Sequence, residues 1–410
     1  MRRQHLHLTD LCHDLINIPD QTGAIMVTGL AVDSKRVAAG NLFFALAGSN
    51  RDGRDFIGDA IKAGAAAIVT GMAPLAKEIA KPAQQAAIPI MQCENPRRVM
   101  AKMASIYWPS QPGMVAAVTG TNGKTSTTEF LRQLWQRATW QAIAVGTLGI
   151  TGTDMIKSDG ALLSLPPLTT PDSISLHAAL APLTKTGVTH LALEASSHGL
   201  EQHRLDGLNI HIATFTNLSR DHLDHHPDMD RYFAAKHRLF TDLLSEGGAA
   251  IVNLDDQYSA AIIDSLQDRA IVIKTFGYAE FADFRILSIT PSGGGLDMKV
   301  VYKDQTWDIP LALSGTFQAI NALTAAVMAH LGGLPLHDSL GALPYLKAAP
   351  GRMQPIPGHP SGARVVVDYA HTPDALAAAL GALRPEASGK LVVLFGCGGD
   401  RDPGKRAMMG

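Results

Sequence analysis

The sequence predicts an α/β protein whose central part is a parallel β-sheet covered by helices. Segments with helical spacing separate five short apolar runs, which lie at Met114–Thr119, Ala142–Val145, His190–Glu194, Ile212–Thr216 and Ala249–Asn253. Continuous apolar runs of this length are typical of strands buried on both faces, and parallel strands are usually connected through helices. A glycine-rich turn directly follows the first run, which indicates a strand–loop–helix unit.

Composition excludes several classes of protein. With 410 residues, the chain is long enough for two or three domains. Hydrophobic residues make up 46% and charged residues 18%, which is ordinary for a globular enzyme and unlike a disordered chain. A formal net charge of -2 gives no overall attraction to nucleic acid. No stretch approaches the roughly 20 apolar residues of a spanning helix, so we expect neither a nucleic-acid partner nor membrane insertion.

The cysteines and the N-terminus indicate the cellular compartment in which we expect the protein. Cys12, Cys93 and Cys397 are far apart and form neither a disulfide framework nor a zinc pattern. The first residues contain no apolar core of a signal peptide. We therefore expect a reduced, cytoplasmic protein, and we expect it to be a monomer.

Proline and glycine clusters predict three domains. Two prolines and a glycine lie within Pro109–Gly113, and a second break lies near Pro344–Gly351. These breaks predict a small mixed N-terminal domain at 1–108, a central domain at 109–343 and a C-terminal domain at 344–410. Within the central domain, alternating strands over Asp283–Pro310 surround a hairpin turn at Pro291–Gly295.

Local patterns also predict elements in the two outer domains. In the N-terminal domain we expect strands at Asn41–Ala47 and Ala66–Thr70 and a helix at Phe56–Ala63. In the C-terminal domain we expect a helix at Pro373–Leu383 between strands at Arg364–Asp368 and Leu391–Phe395. The C-terminal pattern is the opening of another α/β domain, and 410 residues leave too few to close its sheet.

The strongest chemical signal is the loop Gly120-Thr-Asn-Gly-Lys-Thr-Ser126. Gly120 and Gly123 allow backbone N–H groups to approach a phosphate, and the following helix N-terminus favours an anion. Lys124 offers a charge to the β- and γ-phosphates, and Thr125 offers a hydroxyl to Mg²⁺. Although the loop is shorter than the usual G-x-x-x-x-G-K-[ST] pattern, nucleotide binding is favoured over an ordinary strand–helix turn.

Other candidate residues follow the predicted strands. Glu194 ends a strand, where a carboxylate can hold Mg²⁺, although a solvated carboxylate is the commoner case. Histidines and aspartates crowd 217–226, but their spacing matches no standard zinc pattern; His222 can join Glu194 as a metal ligand or lie in an exposed polar loop. Spacing alone makes Lys236 a routine lysine on a helix surface.

Five motifs together resemble the Mur ligases. In chain order they are Gly-Thr-Asn-Gly-Lys-Thr, Glu-Ala-Ser-Ser-His-Gly-Leu-Glu-Gln-His-Arg, Asn-Leu-Ser-Arg-Asp-His-Leu-Asp, Asp-Tyr-Ala-His-Thr-Pro-Asp and Phe-Gly-Cys-Gly-Gly-Asp-Arg-Asp. The resemblance extends over nearly the whole chain. It implies an N-terminal domain for a UDP-sugar, a central P-loop ATPase domain with a parallel sheet, and a Rossmann-like C-terminal domain that closes over the site and is incomplete here.

The resemblance assigns roles to individual residues. ATP would be held by Gly120, Thr121, Asn122, Gly123, Lys124, Thr125, Ser126, Asn321, Arg352 and Asp368. The UDP-sugar dipeptide would be held by Val32, Ser34, Ser49, Asn50, Arg51, Thr169, Thr170, Ser196, Gln202 and Arg204. Mg²⁺ would be held by Thr125, Glu194, His222 and Lys236. The incoming amino acid would contact Arg401.

The resemblance also implies cofactors and a reaction. Lys236 matches a lysine that CO₂ converts to a carbamate in the family. The resemblance therefore implies a role in the site for Lys236, whereas spacing alone predicts an ordinary lysine on a helix surface. With Lys124, Glu194 and His222, this lysine would be catalytic. ATP and Mg²⁺ would activate the D-glutamate carboxylate of UDP-N-acetylmuramoyl-L-alanyl-D-glutamate as an acyl phosphate, which the amine of meso-diaminopimelate then attacks. Positioning and charge neutralisation serve such chemistry better than a protein nucleophile.

Three alternatives stay open from the sequence. One is a ligase that adds L-lysine in place of diaminopimelate. Another is a folylpolyglutamate synthetase, which shares the nucleotide loop, although the Glu-Ala-Ser-Ser-His-Gly and Asp-Tyr-Ala-His-Thr-Pro-Asp motifs argue against it. In the third, the chain binds UDP-sugar and nucleotide but forms no peptide bond, because an Asp-Asn-Pro-Arg segment expected after Arg401 is absent.

Overall fold

The computed structural model describes residues 5–48, 51–153, 165–220, 225–397 and 404–410. The described residues form four sheets. Two of them lie in the N-terminal part, one large sheet lies in the centre, and a two-stranded sheet lies in the C-terminal part. The α/β class and three-part order predicted from the sequence are confirmed.

The N-terminal part combines a small parallel sheet with short helices. Its elements are β1 (Leu6–His7), α1 (Leu8–Cys12), β2 (Met26–Val27), β3 (Gly29–Ala31), β4 (Asn41–Ala45), α2 (Ile57–Lys62), β5 (Ala67–Gly71), α3 (Lys77–Gln85), β6 (Ile90–Cys93) and α4 (Pro96–Tyr107). The strands β3-β4-β5-β6 are all parallel. Helix α4 begins sharply because Asn95 caps the Arg98 N–H at 3.0 Å and Pro96 occupies its first turn.

The central part is built on a ten-stranded sheet. Its elements are β7 (Met114–Thr119), α5 (Lys124–Arg137), β8 (Ala142–Gly146), β9 (Gly149–Thr151), α6 (Ser173–Lys185), β10 (His190–Glu194), α7 (Ser197–Glu201), β11 (Ile210–Phe215), α8 (Met229–Arg238), β12 (Leu244–Asn253), α9 (Ser259–Asp264), β13 (Val272–Gly277), β14 (Phe284–Ser292), β15 (Gly295–Tyr302), β16 (Gln305–Leu311), α10 (Thr316–Leu331) and α11 (Leu336–Gly341). The strand order is β16-β15-β14-β13-β12-β11-β7-β10-β8-β9.

The pairing within this sheet explains where the polar residues meet. Strand β7 pairs in parallel with β10 on one side and β11 on the other. Their carboxyl ends therefore share one edge of the sheet, which is where ligands bind in open α/β folds. The predicted hairpin is confirmed, since β14, β15 and β16 pair antiparallel at the far edge.

Alternation along β7 divides the central core into two layers. Ala116 and Val118 belong to one cluster of buried side chains, while Val115 and Ala117 belong to the other. The first cluster includes residues of α5 and α10, and the second includes residues of α6, α8 and α9. Because both faces of this strand pack against helices, neither face carries polar residues, and its sequence is a continuous apolar run.

The C-terminal part departs from the prediction in one element. It contains the antiparallel pair β17 (Gln354–Ile356) and β18 (Val365–Val367), then α12 (Pro373–Leu383) and α13 (Gly404–Met409). The predicted strand at Leu391–Phe395 is wrong, because these residues have no regular secondary structure. A strand requires hydrogen bonds to a neighbour, and no described strand pairs with this run. The side chains of residues 392–395 are accordingly open to solvent, with Leu394 fully exposed.

None of the helices in the described ranges is long and apolar enough to cross a membrane.

Candidate functional site

The phosphate-type loop lies between β7 and α5, as predicted. Gly120 has φ +145° and Gly123 has φ +89°, and both values favour glycine over other residues. A Cβ atom on Gly123 would collide with Oδ1 of Asn321, and one on Gly120 would collide with Oγ1 of Thr216. The loop is therefore closely surrounded by side chains, and both glycines are required by its conformation and by its packing.

The segment after β11 fixes the loop from outside. The Thr121 N–H donates to the Asn217 carbonyl at 2.8 Å, and the Asn122 N–H donates to Oδ1 of the same asparagine at 3.0 Å. The Thr216 hydroxyl donates to the Asn122 carbonyl at 2.7 Å. These bonds hold the loop in shape without using the backbone N–H groups nearest to α5.

Lys124 bends back over its own loop. Its Nζ donates to the carbonyl oxygens of Gly120 at 2.9 Å and Thr121 at 2.8 Å. The cation therefore lies above the space that the loop encloses. A phosphate group entering that space would meet a positive charge already in position.

Glu194 ends β10 beside the loop and is buried. Its Oε1 accepts hydrogen bonds from the Thr125 hydroxyl at 3.0 Å and the Thr147 N–H at 2.8 Å, and its Oε2 accepts from the Thr147 hydroxyl at 3.2 Å. Burial raises the pKa of Glu194, and the nearby Lys124 charge and the hydrogen bonds oppose that rise only in part. A buried carboxylate next to a hydroxyl is the oxygen donor set that Mg²⁺ prefers.

Lys236 is buried against the same loop. Its side chain is only 1% exposed, and its Nζ donates to the Gly120 carbonyl at 2.7 Å. The Nζ also lies 4.5 Å from the centre of the Tyr232 ring. The interpretation of Lys236 as a helix-surface lysine, drawn from spacing alone, is wrong, because α8 turns this side chain toward the loop.

The C-terminal part reaches the site through Arg352. Its guanidinium donates to the Thr125 hydroxyl at 3.0 Å and lies 4.3 Å from the centre of the Tyr369 ring. Burial lowers the pKa of Arg352, and the charges of Glu194 and Asp368 oppose that shift. Asp368 supports the turn beside Arg352, because its Oδ2 accepts from the Met353 N–H at 2.7 Å.

Asn321 is buried on α10 next to the loop. Its Nδ2 donates to Oε1 of Gln318 at 3.3 Å, and the Gln318 amide donates to the Arg352 carbonyl at 3.2 Å. This chain of contacts connects the helix behind the loop with the segment that carries the arginine.

The residues predicted for the dipeptide form a connected group. The Ser196 N–H donates to the Thr170 hydroxyl at 2.9 Å, and that hydroxyl donates to the Glu194 carbonyl at 2.8 Å. Arg204 donates to the Thr170 carbonyl at 2.6 Å and to Oε1 of Gln202 at 2.8 Å. Thr169 joins through its hydroxyl, 3.1 Å from the hydroxyl of Thr147. The group is therefore connected by a hydrogen bond to the backbone carbonyl of Glu194, whose side chain is the buried carboxylate.

Other predicted residues lie apart from this group or outside the described ranges. Val32 and Ser34 follow β3 in the N-terminal part, where Ser34 begins a short helical turn capped by Asp33. Arg51 is exposed, and its carbonyl accepts from the Gly48 N–H at 2.9 Å. Outside the described residues lie Ser49, Asn50, His222 and Arg401.

Two residues at the site were missed by the sequence analysis. Thr147 gives Glu194 two hydrogen bonds, and it directly follows β8, so its position at a strand end was a usable signal. The Tyr232 hydroxyl lies 3.2 Å from Oγ1 of Thr121. Tyr232 precedes Lys236 by four residues on α8, a spacing that places both side chains on one face of a helix.

Comparison with known families identifies the class of protein that this fold and loop define. Residues 118–329 match the Mur ligase middle domain, residues 351–410 match the Mur ligase glutamate ligase domain, and residues 26–108 match the Mur ligase family catalytic domain. The chain belongs to the Mur ligase family, whose members are ATP-dependent ligases that form peptide bonds.

Within the family, the chain is similar to ligases of one particular name. The chain is 42% identical over 408 residues to the UDP-N-acetylmuramoyl-L-alanyl-D-glutamate--2,6-diaminopimelate ligase of Bradyrhizobium diazoefficiens, covering 99% of this chain and 81% of the relative. The enzyme of the same name from Brucella melitensis is 42% identical, covering 96% and 77%. A solved structure of a ligase with this name is 34% identical, with a TM-score of 0.79, covering 99% and 80%.

Proposed function

We propose that this chain uses ATP to join meso-diaminopimelate to UDP-N-acetylmuramoyl-L-alanyl-D-glutamate. The observation that carries the proposal is the convergence of Thr125, Glu194 and Arg352 beside the loop at 120–126. The 42% identity to ligases of that name over almost the whole chain supports this choice of substrates. We also propose that the protein acts in the cytoplasm as a monomer, with the domain boundaries expected from the sequence.

The charges around the loop suit the phosphates of ATP. Lys124 precedes Thr125 in the chain and Arg352 donates to the Thr125 hydroxyl, so two cations lie beside the loop. When ATP enters, Lys124 exchanges its bonds to the loop carbonyls for bonds to phosphate oxygens. Because these groups are already in place, little reorganisation is needed as charge moves during the reaction.

The oxygen donors beside the loop fit Mg²⁺. Thr125 and Glu194 would hold it, and by resemblance His222 and a carbamate on Lys236 would complete the ligand set. When bound, Mg²⁺ neutralises the phosphate charge during transfer. The burial of Lys236 beside the Gly120 carbonyl supports a role for its side chain inside the site and not on the protein surface.

The dipeptide would lie along the group formed by Thr169, Thr170, Ser196, Gln202 and Arg204. An Arg204 guanidinium on this path can bind a carboxylate, and the group adjoins Glu194. The D-glutamate carboxylate oxygen attacks the γ-phosphorus, and ADP leaves. The amine nitrogen of diaminopimelate then attacks the acyl carbon, the bond to phosphate breaks, and the amine loses a proton.

The test is the release of ADP by the purified 410-residue chain with ATP, Mg²⁺ and the UDP-sugar dipeptide. We expect turnover that depends on both the dipeptide and meso-diaminopimelate. Faster turnover with L-lysine would instead support the lysine-adding alternative. Saturable binding of nucleotide and UDP-sugar without turnover that depends on the amino acid would support a chain that only binds them.

A further inference from the structure

Three histidines that the proposed reaction does not use lie together. His198 is on α7, and His225 and His226 precede α8. One possible ligand atom from each lies within 4.8 Å of the others. The rings of His198 and His225 stack with centroids 3.7 Å apart, and the His198 and His226 centroids are 5.6 Å apart. We propose that this histidine cluster binds a late first-row transition metal such as Zn²⁺.

The donor chemistry selects the class of metal. The three ligands are imidazole nitrogens, which suit zinc, nickel and copper, whereas Mg²⁺ prefers oxygen donors. Nε2 of His225 lies 2.7 Å from Oε2 of Glu201. A carboxylate in that position orients a metal-binding imidazole and fixes its tautomer, which leaves Nδ1 of His225 for the metal.

The spacing requires the side chains to move closer together. Zinc binds nitrogen at about 2.0–2.1 Å, so two nitrogens on a tetrahedral ion are about 3.4 Å apart. Two ligand atoms at the 4.8 Å limit of the cluster must therefore approach by about 1.4 Å. His226 is fixed because it is buried, while the side chain of His225 is 33% exposed and can rotate. The open side also admits the ion and a water as fourth ligand.

The cluster is separate from the oxygen donors proposed for Mg²⁺. Glu194 is surrounded by hydroxyl and N–H groups of Thr125 and Thr147, and no histidine is among the hydrogen-bond partners described for it. The His226 ring packs against Tyr232 with centroids 5.1 Å apart, and Tyr232 contacts Thr121 of the loop. Tyr232 therefore lies between the cluster and the phosphate loop, and the imidazole donors of the cluster differ from the oxygen donors around Glu194.

Calorimetric titration of the full chain with Zn²⁺ in excess Mg²⁺, after removal of bound metal by EDTA and dialysis, tests the site. We expect one equivalent to bind, with affinity that falls at acid pH because a histidine ligand must be neutral. His225→Ala should weaken binding about tenfold or more, and Glu201→Gln about tenfold. His337→Ala is the matched control, since this exposed histidine lies elsewhere, and should bind as the unmodified chain does.

Two further measurements separate the sites. Co²⁺ in place of Zn²⁺ should give the visible spectrum of a four-coordinate site with three nitrogen ligands and a water, and His225→Ala should remove it. His222→Ala should retain Zn²⁺ binding, because His222 is assigned to Mg²⁺. Absence of saturable binding, equal binding by His225→Ala and His337→Ala, or loss of binding only in His222→Ala would overturn the proposal. Since no ligase substrate is present, these results are independent of the proposed reaction.

Discussion

Replacement of Glu194 by glutamine should stabilise the protein without Mg²⁺ and remove its ligase activity. The carboxylate is buried, and burial raises its pKa, so the folded state disfavours its charged form. Stability is therefore lost as the pH rises from the unfolded pKa of about 4.3 toward the raised folded value. Glutamine has no charge to bury and escapes this loss at neutral pH.

The contacts of Glu194 set the size of the effect. Its oxygens accept three hydrogen bonds, from Thr125 and twice from Thr147. A glutamine can keep all three, because its oxygen accepts two and its amide donates to the Thr147 hydroxyl. The glutamate and glutamine proteins then differ mainly in the cost of burying the charge of Glu194, which its hydrogen bonds offset only in part. We therefore expect the glutamine variant to gain about 1–3 kcal/mol in the free energy of unfolding.

Urea denaturation at pH 7.5 in EDTA, and again in Mg²⁺ with ATP, measures this difference. In EDTA the glutamine variant should unfold at higher urea. With Mg²⁺ and ATP at about 100 times the dissociation constant, the unmodified chain should gain about 2.7 kcal/mol and the variant less. Glu280→Gln is the control, because Glu280 is exposed. A variant equally stable or less stable in EDTA would refute the reasoning.

Three other changes test the remaining contacts. Thr125→Val removes the hydroxyl between Glu194 and Arg352 and should lower kcat about 10²-fold, as for other lost polar contacts to a transition state; an unchanged kcat in steady-state assays would contradict this role. Asp206→Ala removes a buried carboxylate that pairs with Arg238 and His203, while Arg238 keeps its ion pair with the more exposed Asp242, so urea denaturation should show a loss of about 1–3 kcal/mol. Lys236→Ala should lose ADP release, and acetate or formate should restore part of it; loss without such rescue would argue against a carbamate.

Some apolar runs predicted the strands of the structure correctly, and one did not. The apolar run at 114–119 is buried on both faces and has the bounds of β7. Leu391–Phe395 has the same apolar character, yet it forms no strand, because pairing depends on a neighbour that its own sequence does not specify. Apolar runs therefore identified five parallel strands of the central sheet, but they missed β13 and failed at this segment.

The candidate site shows the same division between local and tertiary information. The loop at 120–126 was identified from glycine, lysine and threonine, since a phosphate loop is a local structure. The burial of Lys236 was not predicted from its spacing. A lysine on a ten-residue helix faces solvent or the core depending on what packs against that helix. Thr147 was missed for a related reason: its contact with Glu194 crosses 47 residues of chain.

By itself, the sequence determined the α/β class, five of the parallel central strands and the loop at 120–126, because each depends on residues that are neighbours along the chain. Its motifs, read together, also indicated the family. Only the tertiary structure decided that Glu194, Lys236 and Arg352 reach that loop and that three histidines lie together beside Tyr232. Such contacts depend on strand order and helix packing, which bring distant residues together through the hydrophobic core.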